Sequence, residues 1–168
     1  LEKEDTISKP KSGHKLYLTP DELKIFMASE ETNGVRETQL AFGFACLTGL
    51  RISDIRALRW SNIMRNEATN TLVIVQKKTK ELNAVPICST AEAWMPPKKD
   101  DKVFHLPAHA NVDAALKRIA KKVGITKTIS FHTSRHTFGT LIQAATGDIE
   151  TTKKLMGHKS LKSTAVYA

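Results

Sequence analysis

The chain has 168 residues, enough for one domain with a buried core, with or without a tail. Hydrophobic residues make up 40%, which excludes a disordered chain, and no stretch approaches the roughly 20 consecutive apolar residues of a membrane-spanning helix. Lysine and arginine number 26 against 17 aspartates and glutamates, and the formal charge of +9 favours a polyanionic partner, nucleic acid first, although an anionic membrane surface or an acidic protein would also satisfy it.

Residues 1–18, LEKEDTISKPKSGHKLYL, mix charge with Ser, Gly and Pro and show no apolar period, so they read as a linker leading into a domain. The chain starts at Leu1 without a methionine and shows no signal peptide, which reads as part of something longer. Thr19 can cap a helix, Pro20 fits its first position, and Glu22 completes a capping box. Leu23, Phe26 and Met27 supply the inner stripe of that helix. Val35 to Leu50 is rich in Leu, Ala, Phe and Cys and predicts a mostly buried helix closed by Gly49. Ser53 and Asp54 open another, running to about Trp60.

Between Thr71 and Pro86 the pattern changes. TLVIVQ is β-branched, KKTKEL is charged and NAVPI is extended again, which predicts a hairpin with a basic tip. Residues 96–102, PPKKDDK, form a polar break. Val112, Leu116, Ile119 and Val123 share one helical face, with Gly124 as the stop. Ser130 begins a helix closed by Gly147, Asp148 caps a short one closed by Gly157, and Ser160 can cap a last one carrying Tyr167. Cys46 and Cys88 stand in apolar settings without C-x-x-C spacing, so both are expected as reduced core residues of an intracellular protein. The expected fold is mainly α with a small antiparallel β-sheet, an α+β domain.

The residues able to do chemistry are scattered. His132, Arg135 and His136 fall on one helical face of SFHTSRHTFGT, and H-x-x-R alone is equally compatible with a solvated polar face. His132 and His136 have the spacing of a zinc pair, but the glutamate of H-E-x-x-H is missing and Arg135 stands between them. Arg51, among Leu50, Ile52 and Ile55, needs an anionic partner if buried; pairing with Asp54 or reaching solvent would also satisfy it. Lys77, Lys78 and Lys80 at the hairpin tip could be solubilising or could deliver an acid to a site. His158 follows a helix end, and Tyr167 stands nine residues beyond it, either as a core aromatic or as a nucleophile.

Taken together, two arginines, a lysine, two histidines and a tyrosine in a basic domain suit phosphodiester exchange without a metal. Arginines fork onto non-bridging oxygens and stabilise growing charge. A phenol with a pKa near 10 needs a base. A leaving 5′-oxygen needs a proton. No G-x-x-x-x-G-K-[ST] loop and no acidic cluster for Mg²⁺ are present, so nucleotide hydrolysis and two-metal nuclease chemistry lack support.

In order, TGLRISDIRALRW, QKKTKELNAVPI, HTSRHTFGTLI and LMGHKSLKSTAVY resemble the catalytic domain of the tyrosine recombinase, or phage integrase, family, from about Thr19 to the chain end. The resemblance implies the family's arginines at Arg51 and Arg135, its hairpin lysine at Lys78 (Lys77 if the register slips), its histidines at His132 and His158, and its nucleophile at Tyr167. It implies site-specific cleavage and rejoining of double-stranded DNA through a 3′-phosphotyrosyl link, without metal, ATP or other cofactor. It further implies a tetramer on two duplexes in the full-length protein, an N-terminal DNA-clamping domain and a C-terminal tail outside this chain, residence on DNA in the cytoplasm, and no membrane partner. Asp54 is expected to orient Arg51, and His136 to support the site structurally. Integration or excision of a mobile element is the favoured role. A type IB topoisomerase-like enzyme and a non-catalytic DNA-binding module are the alternatives.

Overall fold

Thr19 opens the first helix as expected. In the computed structural model, which describes residues 16–158, its hydroxyl accepts the Glu22 N–H at 3.2 Å and Glu22 Oε2 accepts the Thr19 N–H at 2.8 Å. This reciprocal cap starts α1 (Pro20–Ala28) with proline where no N–H is needed. Leu18, at the end of the segment read as linker, is fully buried, and its N–H donates to Thr137 Oγ1 at 2.9 Å. Lys127 Nζ donates to Tyr17 O at 2.9 Å and to Glu22 Oε2 at 2.6 Å. The packed body therefore begins no later than Leu18.

The remaining elements follow as α2 (Asn33–Thr48), α3 (Ile52–Ala57), β1 (Ile63–Met64), β2 (Thr71–Val75), β3 (Leu82–Pro86), α4 (Ser89–Ala93), α5 (His109–Lys122), α6 (Phe131–Thr146) and α7 (Ile149–Met156). Helix α2 is the centre of the molecule. Ala41 through Cys46 are all buried, and α2 packs against α1, α4, α5 and α6. A helix apolar on every side has to be surrounded in this way. Phe42 joins the elements, with ring centroids 5.1 Å from Phe26 of α1 and 6.0 Å from Phe131 of α6. Each such pair adds about 0.5–1.5 kcal/mol beyond its burial.

The sheet is antiparallel in the order β1-β2-β3, with Leu72 opposite Val85 and Ile74 opposite Asn83. Mainly helical architecture with one small antiparallel sheet is the class the sequence predicts. Three details differ. Helix α3 stops at Ala57, short of Trp60, because a distant segment captures the backbone: Val103 N–H donates to Leu58 O at 3.0 Å and Trp60 N–H to Asp101 O at 2.9 Å. Strand β1 and helix α4 were not expected. Cys88 is exposed rather than in the core, since the alternation that buries Val85 and Ile87 turns residue 88 outward. Cys46 is fully buried, and burial pushes its thiol pKa up despite a hydrogen bond with Thr137.

Candidate active site

Helix α2 ends at Gly49, whose φ of 70° is the left-handed cap that turns the chain into α3. An ideal Cβ at this position would lie 2.4 Å from Phe138 Cδ1, so the residue must also be small. The turn leaves the Gly49 carbonyl pointing at α6, where Arg135 Nη1 donates to it at 2.5 Å. Arg135 Nη2 donates to the Met156 carbonyl at the end of α7. Only 3% of Arg135 is exposed, so a charged side chain is buried on two main-chain acceptors contributed by two other helices. The same turn makes Arg51 the N-cap of α3, two residues beyond Gly49. The two arginines are thus neighbours through one glycine cap, although 84 positions apart in the chain.

Arg51 is half-buried, and its Nη1 donates to Gln76 Oε1 at 2.6 Å. Asp54 does not pair with it. Asp54 Oδ1 accepts the Lys77 N–H at 3.0 Å and so fixes the root of the β2–β3 hairpin instead. The acceptor that Arg51 does use is neutral, so its positive charge is not cancelled.

A cleft of about 300 Å³ is lined by Arg51, Lys78, His132 and Arg135. Ser53, His109, Ser130 and Ser134 add polar wall; Leu50, Ile52 and Phe131 add apolar wall. Lys78 is exposed on the hairpin and reaches this cleft, whereas Lys77, also exposed, is not among its lining residues. His132 is exposed near the start of α6, and its ring meets His136 edge to face with centroids 4.7 Å apart. No group of three His, Cys, Asp or Glu side chains able to hold a metal occurs among the described residues. His158 is half-buried just past Gly157, the left-handed cap of α7, with its N–H donating to Lys153 O at 3.0 Å. It does not line the cleft, but its helix end is the one Arg135 holds. Tyr167 and the capping position Ser160 lie outside the described residues.

Four segments thus deliver arginine, lysine and histidine side chains to one concave surface. Such a surface can neutralise a phosphate, place a forked donor on its oxygens and offer a proton from a lysine. Two further residues are not singled out by the sequence as site residues: His109, in the cleft wall, and Gln76, which holds Arg51 from outside it. His109 carried no pattern. Gln76 did, since it continues the inward positions of Leu72 and Ile74 with a polar side chain.

The model of the phage integrase family matches residues 16–168, and the chain belongs to that family. It is 28% identical over 183 residues to tyrosine recombinase XerD of Lacticaseibacillus casei, covering 96% of this chain and 61% of the relative. It is 27% identical over 132 residues to tyrosine recombinase XerC of Xanthomonas axonopodis pv. citri, covering 71% and 42%. The fold superimposes on XerH recombinase in a pre-cleavage complex with its difH substrate, with a TM-score of 0.77 and 22% identity over 92% of this chain and 51% of that one. The catalytic domain of bacteriophage HP1 integrase gives a TM-score of 0.69 and 22% identity over 90% and 86%. A lambda integrase dimer bound to a COC′ core site gives 0.72 and 23% over 90% and 47%. The chain therefore spans between about two fifths and three fifths of the curated relatives it matches. No helix among the described residues is long and apolar enough to cross a membrane.

Proposed function

We propose that this chain is the catalytic portion of a site-specific DNA recombinase that cleaves and rejoins strands through a 3′-phosphotyrosyl intermediate. The observation that carries the reading is the single cleft lined by Arg51, Lys78, His132 and Arg135. Its supports are membership of the family and the TGLR, HTSRH and LMGH boxes in their order.

In this reading the Tyr167 phenol attacks the phosphorus, a Tyr–O–P bond forms, and the bond to the 5′-oxygen breaks. His132 assists removal of the phenolic proton, and Lys78 protonates the departing 5′-oxygen. Arg51 and Arg135 hold the non-bridging oxygens and stabilise the charge that grows on them. His158 hydrogen-bonds the phosphate or braces the site. A 5′-hydroxyl from another strand reverses the step, so the bond energy is conserved without ATP. Lys78, carried by the hairpin at the cleft wall, suits a proton donor beside the departing oxygen. The partners are double-stranded DNA and further copies of the protein, four on two duplexes, and the protein acts on DNA in the cytoplasm. The N-terminal clamping domain and the tail belong to the longer protein.

The favoured role is integration or excision of a mobile element. The Xer relatives favour a second one, the resolution of chromosome dimers. A recombination site selected from random DNA by the full-length protein separates the two, since it maps either to element ends or to one chromosomal locus.

The decisive experiment traps the intermediate on a nicked duplex carrying that site, so that the released strand diffuses away. Wild type should accumulate a covalent protein–DNA adduct, and Tyr167→Phe should bind the same DNA without forming it. An adduct that persists in Tyr167→Phe, or loss of binding by that variant, would overturn the assignment of the nucleophile.

A further inference from the structure

Along β2 the inward positions are Leu72, Ile74 and then Gln76, just past the strand. A third apolar residue would continue the core. Instead a carboxamide, 1% exposed, stands where the hairpin, the start of α3 and the end of α7 meet. Its oxygen accepts Arg51 Nη1 at 2.6 Å and Thr79 Oγ1 at 3.2 Å. A guanidinium can only donate, so the oxygen, not the nitrogen, must face Arg51. The main chain of the same residue closes the loop that carries Lys78: Gln76 N–H donates to Glu81 O at 2.9 Å, and Lys80 N–H donates to Gln76 O at 2.8 Å. One residue on, Lys77 N–H is held by Asp54.

Two polar atoms in this junction, Gln76 Nε2 and Asp54 Oδ2, are buried without a hydrogen-bond partner. Gly157 makes room for the first, since a Cβ there would lie 2.5 Å from Gln76 Nε2. Unmet polar atoms in a protein interior destabilise relative to an apolar side chain of the same shape. Stability therefore does not account for a glutamine here. Charge does: a neutral acceptor fixes a guanidinium without cancelling it, whereas a carboxylate at the same place would form an ion pair.

We propose that Gln76 is a positioning residue that aims the Arg51 guanidinium into the cleft and couples it to the hairpin presenting Lys78, so that the two cations keep a fixed relation. The proposal rests on the catalytic reading of Arg51 and Lys78 given above. It adds a residue that touches neither DNA nor the reacting atoms and acts through both cations.

The test uses the full-length protein, the nicked site duplex, and a second duplex with sulfur in place of the bridging 5′-oxygen. A thiol ionises near pH 8.5 and leaves without a proton donor, so the sulfur substrate removes the need for Lys78. Gln76→Met should fold with an undiminished melting temperature. It should cleave the normal duplex roughly tenfold to a hundredfold more slowly, the span for one hydrogen bond to a charged group, and recover part of that loss on the sulfur duplex. In nitrogen-15 spectra of the protein without DNA, the Arg51 guanidinium signals should be distinct in wild type and averaged by free rotation in Gln76→Met. Gln76→Glu should keep them distinct yet still cleave slowly, because the charge is cancelled. A wild-type cleavage rate in Gln76→Met, or its unfolding, overturns the proposal alone. Absence of any adduct with wild type overturns the recombinase reading beneath it, and the guanidinium spectra still report whether the clasp exists.

Discussion

Replacing Gly49 by alanine should unseat both arginines at once. The backbone there has a φ of 70°, a region that costs an ordinary L-residue about 1–2 kcal/mol. The new methyl would also arrive 2.4 Å from Phe138 Cδ1 and 2.7 Å from Cε1, against a ring that is only 3% exposed. Forcing a methyl into packed surroundings costs about 1–3 kcal/mol more. The sum, about 2–5 kcal/mol, is a large part of the 5–15 kcal/mol that holds a typical domain together. At roughly 2–4 °C per kcal/mol for a chain of this size, the melting temperature should fall by about 4–20 °C. Gly124 supplies the control, because its φ is 80° but nothing lies within 4 Å of an added Cβ. Gly124→Ala should show the backbone part alone. Thermal unfolding followed by circular dichroism measures both, and Phe138→Leu in the Gly49→Ala background should recover part of the difference. Equal losses in the two single variants would refute the claim that Phe138 closes over the cap.

Arg135→Lys keeps the charge but replaces a fork by one ammonium, which cannot serve the Gly49 and Met156 carbonyls together. Urea unfolding should show about 1.5–3 kcal/mol less stability at an unchanged slope. Burial raises the Glu22 carboxyl, but the bonds from Lys127 and Thr19 outweigh it and leave the pKa below its usual value; Glu31 is lowered by the Ser29 hydroxyl and then by Lys122. A carboxyl depressed by folding stabilises fully above its unfolded pKa, near 4.3, and loses that contribution as pH falls through the folded value. Stability should therefore decline below about pH 4.5, and Lys127→Met, less stable than wild type at pH 7, should converge with it at the acid end of a pH series of melting curves.

The helices were legible because their ends carry chemistry. Thr19, Gly49, Gly147, Asp148 and Gly157 all sit at the caps where the sequence puts them. The hairpin was legible because β-branched strands flank a charged turn, and its register follows from the period of two. That same period, carried two residues past Val85 and then one further, turns Cys88 outward. Reading Cys88 by its apolar neighbours alone put it in the wrong place. Strand β1 and helix α4 escaped because two and five residues are too short for any period. The end of α3 escaped for a different reason: residues 101–103 take the backbone bonds that would have extended it. Of the candidate site, the four cleft residues come from three separate sequence boxes, and what joins them is not visible in one dimension. The partner of Arg51 shows this plainly. Asp54 is one turn away in sequence, but the helix aims it at the hairpin backbone, and the guanidinium turns to Gln76 across 25 positions.

A seat built from main-chain oxygens does not draw on the chemistry of the side chains beside it. The Met156 carbonyl stays an acceptor whatever side chain stands at that position, whereas Gly49 has to stay small and left-handed to aim its own at Arg135. The guanidinium's address is thus written in the path of the polypeptide, which the Gly49 turn sets. A chain sharing about a fifth of its residues with the recombinases it superimposes on can keep such a path while most of its side chains change.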